Sequence, residues 1–459
     1  MIDNNTICAL ATAPGNGAIA VIRVSGSDAF SVTEKIFFPV DKKKKLSEQE
    51  GNTIHFGTIK DKNTIIDEVL VSVFKAPYSY TGEHSVEISC HGSLFIQKKI
   101  LELLVKNGAR QAGPGEYTQR AYLNGKLDLS QAEAVADLIA SESAAAHKVA
   151  VQQLRGGFST ELSELREQLL NFISLIELEL DFDEEDVEFA DRQHLSQLIQ
   201  SVYKHIKRLA DSFELGNAVK HGIPVAIVGE PNVGKSTLLN AVLKEDKAIV
   251  SEIAGTTRDA VEDVISIEGI LYRFIDTAGI RQTNDTIEKL GIKRTMEKMK
   301  RADLVLLLLD ASNPRPEERI AEIKSLITDQ KLIIVFNKID NTEVFTFPAA
   351  NVLEGIPHMT VSAKYKKNIT ELTQLLSNTV NLSKEQLEGT VVTNVRHLEA
   401  LNKAKEACER VEQGLQMNIP GDLLSQDIHD IMDSIGSITG TFSADEVLGN
   451  IFKNFCIGK

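Results

Sequence analysis

The chain contains Gly229-Glu230-Pro231-Asn232-Val233-Gly234-Lys235-Ser236, which matches G-x-x-x-x-G-K-[ST]. It follows the apolar run Val225–Val228 and precedes Thr237-Leu238-Leu239-Asn240, so it stands between an expected strand and an expected helix. That context commits the segment to a strand–loop–helix unit. Loop and helix N-terminal amides there favour phosphate, Lys235 adds a point charge at the β and γ positions, and the Ser236 hydroxyl can ligate Mg²⁺. Two further strings follow in order, Asp276-Thr277-Ala278-Gly279 and Asn337-Lys338-Ile339-Asp340, each after an apolar run. A carboxylate at Asp340 suits the N1–H and exocyclic amine of guanine, which adenine does not present, so GTP is the expected nucleotide, with discrimination on the order of 10⁴.

Expected strands at Val225–Val228, Leu271–Ile275, Leu304–Leu309, Leu332–Phe336 and Met359–Val361 alternate with helical pieces, the pattern of a mostly parallel α/β sheet. The motifs fall at strand ends, where such sheets place ligands. The expected nucleotide contacts are Asn232, Val233, Gly234, Lys235, Ser236 and Thr237; Ser251, Glu252, Ile253, Ala254, Gly255, Thr256 and Thr257; Asp276, Thr277, Ala278 and Gly279; Asn337, Lys338, Ile339 and Asp340; and Ser362, Ala363 and Lys364. Asn337 and Lys338 are expected to brace the base, and Ser362-Ala363-Lys364 to approach its O6 edge. Thr257 is the expected second Mg²⁺ hydroxyl, although Thr256-Thr257 also reads as a plain turn. Asp276 is expected to hold Mg²⁺ through water. Ile280 stands where a Ras-like pattern carries the glutamine that orients the attacking water, so hydrolysis is either negligible or uses another group.

At 459 residues the chain has room for about three domains. Residues 1–120 mix β-like runs (Ile19–Val24, Glu68–Phe74, Ser85–Ser89) with a helix over Ser93–Lys106 and read as an α+β domain. Helical segments occupy 121–219, the nucleotide module 220–380, and helices return over 381–459. Each helical segment needs an apolar partner, which favours one helical domain with the nucleotide module inserted; two separate helical domains are the alternative. A capping box is expected at Ser130–Glu133, opening an Ala-rich helix that runs to Gly156-Gly157, and a second at Ser443 and Glu446. Leu448, Ile451, Phe452 and Phe455 form a stripe at i, i+3, i+4 and i+7. The fold class is therefore multidomain α/β.

The formal net charge of −15 argues against a dedicated nucleic-acid coat, so any RNA contact must be local or supplied by a partner. Lys42–Lys45 reads as a solvated loop or as such a patch, and the acidic run Asp181–Asp186 as a helix–helix loop or a metal site. Four cysteines without C-x-x-C spacing argue against a zinc ribbon or a disulfide framework, and a reducing compartment is expected. No apolar run is long enough for a bilayer and no signal pattern opens the chain, so a cytoplasmic protein without membrane insertion is expected. Cys456 stands fourth from the end, but Gly458 and Lys459 fit a prenylation box poorly.

Beyond the nucleotide motifs, the chain carries Ile22-Arg23-Val24-Ser25-Gly26, Tyr80-Thr81-Gly82-Glu83, Gly113-Pro114-Gly115-Glu116-Tyr117, Leu123-Asn124-Gly125-Lys126-Leu127-Asp128-Leu129 and the terminal Phe455-Cys456-Ile457-Gly458-Lys459. On these strings it resembles, from end to end, the MnmE (TrmE) family of tRNA-modification GTPases. The resemblance implies a Ras-like P-loop GTPase domain inserted into the helical domain, and an N-terminal domain similar to tetrahydrofolate-binding modules. It makes Asn232, Ser251, Ile253 and Thr256 ligands of K⁺, in place of an arginine finger, and makes Glu288 the acid that orients the catalytic water. Without the resemblance Glu288 is an ordinary helix-surface acid; Arg258 and Arg281 are the arginine-finger alternative.

It further implies that Arg23, Glu87, Lys126 and Lys459 hold a 5-formyltetrahydrofolate-type one-carbon donor, with Cys456 as a conditional catalytic candidate. The implied partners are a second copy of the chain, tRNA, and the FAD-containing flavoprotein MnmG (GidA) in a heterotetramer. The implied reaction places a carboxymethylaminomethyl-type group on C5 of the wobble uridine of certain tRNAs. A ribosome-assembly GTPase acting as an RNA-binding switch is the competing reading.

Overall fold

The structure is a computed structural model that describes residues 5–181, 192–245, 263–275, 299–342, 344–380, 389–441, 448, 451–453 and 455–458. The chain divides into two compact units: one holds residues 1–140, 150–204 and 400–459, the other 141–149 and 205–399.

In the first unit, β1 (Ile7–Leu10), β2 (Ile19–Ser25), β3 (Phe37–Pro39), β4 (Thr53–Asp61), β5 (Thr64–Phe74), β6 (Ser85–His91) and β7 (Arg110–Gln111) form a seven-stranded sheet in the order β3-β4-β5-β6-β2-β1-β7. Its pairings are antiparallel except β1 with β7. Period-two alternation sets the faces. Val69, Val71 and Val73 of β5 are buried against Ile100, Leu103 and Leu104 of the helix Leu94–Lys106, while Leu70 between them is exposed. The opposite face is covered near β1 by the helix Glu116–Leu123, whose Tyr117 packs with Ile7, Ala9 and Ala112. Toward β4 that face is open and apolar, with Ile54, Phe56 and Leu70 exposed.

Helices Leu129–Ala140, Gly157–Asp181 and Gly421–Thr439 belong to the same unit. Gly421–Thr439 packs along Gly157–Asp181, so helices from before and after the nucleotide module share one core, as the single helical domain requires. The box expected at Ser130–Glu133 lies two residues too late. Asp128 Oδ1 accepts from the Gln131 N–H (2.9 Å) and Gln131 Oε1 accepts from the Asp128 N–H (2.9 Å), so the reciprocal cap is Asp128–Gln131. Ser130 instead pairs with Ser159 (2.8 Å), a tertiary contact that local spacing does not reveal. The Ala-rich helix also breaks before Gly156: Ser143 Oγ accepts from the Ala146 N–H (3.1 Å) and starts a separate helix, Ala144–Leu154.

The terminal stripe docks as its spacing demands. Leu448 and Phe452 pack on Leu129 and Ala132, flanked by Tyr122, Ile451 and Phe455. Gly115 permits this approach: its φ is +64°, and a Cβ there would lie 2.8 Å from Phe455 Cβ and 2.9 Å from the Phe452 carbonyl. The box expected at Ser443 and Glu446 lies outside the described residues, as does nearly all of the acidic run to Asp186. Among the described residues the four cysteines are unpaired, no cluster of metal-binding side chains occurs, and no helix is long and apolar enough to cross a membrane.

The second unit is built on β8 (Ile223–Gly229), β9 (Asp263–Ile267), β10 (Ile270–Phe274), β11 (Leu304–Asp310), β12 (Lys331–Asn337) and β13 (His358–Thr360), in the order β13-β12-β11-β8-β10-β9. All neighbours are parallel except β9 with β10, a hairpin turning at Glu268-Gly269. The five expected strands are present within one or two residues; β9 is the strand the sequence pattern does not mark. Central strands β8 and β11 are almost wholly buried, which is why they read as unbroken apolar runs.

In the first unit the helix Glu116–Leu123 is tied down by buried charge. Glu116 accepts from Arg110 (2.6 and 2.8 Å), Arg120 (3.0 Å) and the Gly113 N–H (2.9 Å), while Arg120, 3% exposed, also reaches Glu83 at 3.0 Å. Burial raises the Glu116 carboxyl pKa, but Arg110, the Gly113 amide and Arg120 outweigh it and hold the group below its ordinary value. A depressed folded-state pKa contributes stability that is present above the unfolded value of about 4.3 and lost as pH falls through the folded one. Glu116→Gln should therefore lower the unfolding free energy by about 3 kcal/mol at pH 7. Denaturant titrations at pH 7 and below pH 4 check this: the deficit should shrink in acid, and an equal deficit at both would refute the charge account.

Candidate functional site

The nucleotide motifs converge because the second sheet is parallel. Register pairs Leu308 with Gly229, Asp310 with Asn337 and Phe336 with Thr360, so β8, β11, β12 and β13 end at one edge of the sheet. From β8 the chain enters the Glu230–Gly234 loop and then the helix Lys235–Glu245. Asn232 (φ 59°) and Gly234 (φ 100°) both take left-handed backbone, which turns the loop into the helix. A Cβ at Gly234 would lie 2.4 Å from Asn337 Nδ2, so only glycine fits. The Lys235 ammonium donates to the carbonyls of Gly229 (2.8 Å) and Glu230 (2.7 Å) and so lies across the loop. Val233 is buried, anchoring the loop, and Ser236 and Thr237 stand in the first helical turn.

Asn337 ties the motifs together. Its side chain is 2% exposed; Nδ2 donates to the Val233 carbonyl (2.8 Å) and Oδ1 accepts from the Ala363 N–H (3.0 Å). Thus its amide links the phosphate-type loop to the Ser362–Lys364 segment, where the sequence suggested only bracing of a base. Lys338 takes left-handed backbone (φ 63°) and its ammonium pairs with Asp310 at 2.9 Å. Asp310 was not among the expected residues. Partial burial works against its ionisation, yet the Ser312 hydroxyl and amide and the Lys338 ammonium hold its carboxyl below the ordinary range. An acid ending the buried run Leu304–Leu309 was the available signal.

Asp340 is exposed in the 3₁₀ turn Ile339–Asn341, and its Oδ1 accepts from the buried Ser362 hydroxyl at 2.5 Å. The Ile339 N–H donates to the Val361 carbonyl (3.3 Å), fastening the same turn to the segment after β13. Lys364 lies with its ammonium 5.1 Å from the Tyr365 ring. A fixed carboxylate, a loop with left-handed glycine, and a lysine across that loop provide acceptors for a base edge and donors for phosphates. Ser251, Glu252, Ile253, Ala254, Gly255, Thr256, Thr257, Asp276, Thr277, Ala278, Gly279 and Glu288 lie outside the described residues, as do Arg258, Ile280, Arg281 and Lys459.

In the first unit the other expected residues gather around β2 and β6. Arg23 and Glu87 are cross-strand partners, and they form one ion pair: Nη2–Oε1 is 2.7 Å and Nε–Oε1 is 2.9 Å. The guanidinium also lies 5.2 Å from the Tyr80 ring and 5.6 Å from the Tyr117 ring, and the Tyr117 hydroxyl donates to the Arg23 carbonyl (2.8 Å). Tyr80 pairs with Thr118 (2.8 Å), the Asn124 amide donates to the Thr81 carbonyl (2.7 Å), and the Lys126 ammonium donates to the Pro77 carbonyl (3.2 Å). The Arg23, Tyr80–Glu83, Gly113–Tyr117 and Asn124–Lys126 strings, distant in sequence, therefore meet. Cys456 is exposed, and the tail passes beside them: the Gly115 N–H donates to the Cys456 carbonyl (3.2 Å) and Ile457 bridges Pro114.

Known families match both parts of the chain. The family described as GTP-binding protein TrmE N-terminus matches residues 6–126, and the MnmE helical domain matches residues 129–456. The chain is 54% identical over 466 residues to the tRNA modification GTPase MnmE of Bacteroides thetaiotaomicron, covering 100% of both chains. It is 52% identical over 464 residues to that of Parabacteroides distasonis, covering 99% of this chain and 100% of the relative. Against that of Flavobacterium johnsoniae it is 52% identical over 467 residues, with 100% of both covered. Similar throughout its length to these proteins and matched over both of its parts, the chain belongs to the MnmE (TrmE) family of tRNA modification GTPases.

Proposed function

We propose that this chain hydrolyses GTP to GDP and phosphate in the service of tRNA modification in the cytoplasm. The observation that carries the reading is the Asn337 amide, which joins the phosphate-type loop to the segment that fixes Asp340. Asp340 reads guanine, the loop amides and Lys235 hold the phosphates, and the loop closes on them without reorganisation because Asn337 already fixes it. Ser236 and Thr257 would hold Mg²⁺, with Asp276 acting through water. Asn232, Ser251, Ile253 and Thr256 would hold K⁺, which supplies positive charge where other GTPases bring an arginine. Glu288 orients the attacking water, a task the aliphatic Ile280 cannot perform.

The finer reaction follows the same reading. With the flavoprotein MnmG (GidA), the chain installs a carboxymethylaminomethyl-type group on C5 of the wobble uridine of certain tRNAs, using a formyl-tetrahydrofolate-type donor. Arg23, Glu87, Lys126 and Lys459 would hold the donor; the guanidinium near the Tyr80 and Tyr117 rings, with the Glu87 carboxylate beside it, suits a ring that carries both donors and acceptors. Cys456 is the nucleophile candidate beside that cluster. The chain works as a homodimer. In support, Ile54, Ser72, Glu87 and Arg23 stand in one cross-strand row, so the exposed Ile54, Phe56 and Leu70 share a face with the Arg23–Glu87 pair.

Mass spectrometry of wobble nucleosides from cells lacking the chain tests the function: the C5 modification should disappear, and unaltered uridine modification would overturn it. The site chemistry has its own check. GTP turnover should rise steeply when Na⁺ is exchanged for K⁺, and Glu288→Ala should lose turnover by at least 100-fold with GTP affinity retained, because its contribution is confined to the transition state. Equal rates in the two salts would exclude the K⁺ ligands, retained turnover in Glu288→Ala would exclude the role of Glu288, and lost affinity would point to a folding defect instead.

A further inference from the structure

We propose that the lysine-rich margin of the seven-stranded sheet, formed by the loop after β3 and the turn between β4 and β5, binds the phosphate backbone of RNA. The inference rests on the tRNA substrate proposed above and places its contact surface. The overall charge of −15 repels a polyanion, but that charge is unevenly distributed. Residues 1–120 carry 14 Lys and Arg against 13 Asp and Glu, a net +1, which leaves −16 on the remainder. Nine of those 14 basic side chains lie along this margin: Lys35, Lys42–Lys45, Lys60, Lys62, Lys99 and Lys106.

Their placement follows from the edge strand. β3 is outermost in the sheet, only three residues long, and ends at Pro39. The Val40 N–H donates to the Phe56 carbonyl (3.2 Å), which sets the exposed Lys42–Lys45 loop at the Thr53–His55 end of β4. At the other end, Lys60 holds its ammonium 5.0 Å from the Phe38 ring, Lys99 pairs with Asp61 at 2.9 Å, and Lys35 donates to the Asn107 carbonyl (3.0 Å) next to Lys106. From His55 to Asp61 a strand runs about 20 Å. That is about six steps of a stacked nucleic-acid strand at ~3.4 Å each.

The margin is also under-neutralised. Asp61 is taken by Lys99 and Glu48 by Lys45 (3.4 Å), while Asp41 accepts from the Lys43 backbone amide (3.2 Å). Among the described residues no carboxylate pairs with Lys42, Lys43, Lys44 or Lys62. Point charges on flexible stems, spread along a strand and without a forked guanidinium among them, fit sequence-independent backbone contact better than readout of a protein motif.

The test uses the full chain, a fluorescently labelled unmodified tRNA transcript, and a NaCl series read by anisotropy. Neutralising Lys42, Lys43, Lys44 and Lys62 together to Gln changes only exposed side chains. It should weaken binding about 100-fold near 0.1 M salt and flatten the slope of log affinity against log salt by about 3, roughly 0.7–0.9 for each phosphate no longer neutralised. A control carrying Lys204→Gln, Lys207→Gln, Lys403→Gln and Lys453→Gln removes the same charge from exposed sites elsewhere and should bind as the parent does. Unchanged affinity and slope in the first variant, equal loss in the control, or no salt-dependent binding by the parent would each overturn the surface. Wobble nucleosides read the function separately. If they remain normal with the first variant and its tRNA affinity is unchanged, the surface fails while the tRNA function stands; if they are normal in cells lacking the chain altogether, the function itself fails.

Discussion

One buried carboxamide holds the nucleotide-type site together. Asn337 ends a parallel strand, and its two polar atoms take partners in two different loops, the Val233 carbonyl and the Ala363 N–H. At 2% exposure neither contact has water as a substitute, so removing the amide would leave a donor and an acceptor unsatisfied in two different loops. The glycine at 234 is bound to the same arrangement, since any larger residue would collide with the Asn337 nitrogen. The base-side loop and the phosphate-side loop are therefore set by one residue of one strand, and a ligand meeting both finds them already in register.

The first unit follows a different logic. Its sheet is antiparallel, with one face closed by the helix Leu94–Lys106 and the other only partly covered. What fixes the partly covered face is charge: Arg120 and Glu116, both largely buried, pin the helix Glu116–Leu123 to the Tyr80–Glu83 loop, and the Asn124 amide extends the same connection. Leu448 and Phe452 pack against Leu129, and the Cys456 carbonyl lies beside the Gly115 amide. The Arg23–Glu87 pair, the Cys456 tail and the open apolar strip are consequences of leaving that face incomplete.

Much of this was legible in the sequence because it depends on local patterning. The unbroken apolar runs of β8 and β11 marked central parallel strands, the motif spacing placed ligand-type residues at strand ends, and the stripe from Leu448 to Phe455 announced a docking helix. Three of the misses depend on a partner far away in sequence, and two, the Ser143 cap and β9, are local. Ser130 resembles a cap but is used by Ser159, which leaves the capping to Asp128. The Ala-rich segment has helical composition throughout, yet the Ser143 cap divides it. β9 lacks an alternating pattern long enough to register and is held by its hairpin with β10. Asp310 reads as a strand-ending acid until the fold brings Lys338 to it, and Arg23 and Glu87 read as separate surface charges until the register sets them opposite each other.

A double-mutant cycle on GDP affinity addresses the shared role of Asn337 most directly, with Asn337→Ala on one side and Ser362→Ala on the other. Ser362 orients Asp340, and Asn337 fixes the backbone that carries Ser362. Once Asn337 is gone, losing the Ser362 hydroxyl should cost less than it does in the intact chain. The expected result is a coupling energy of at least ~1 kcal/mol between the two substitutions. Losses that add to within about 0.3 kcal/mol would mean that the two loops are held independently, and would contradict the account.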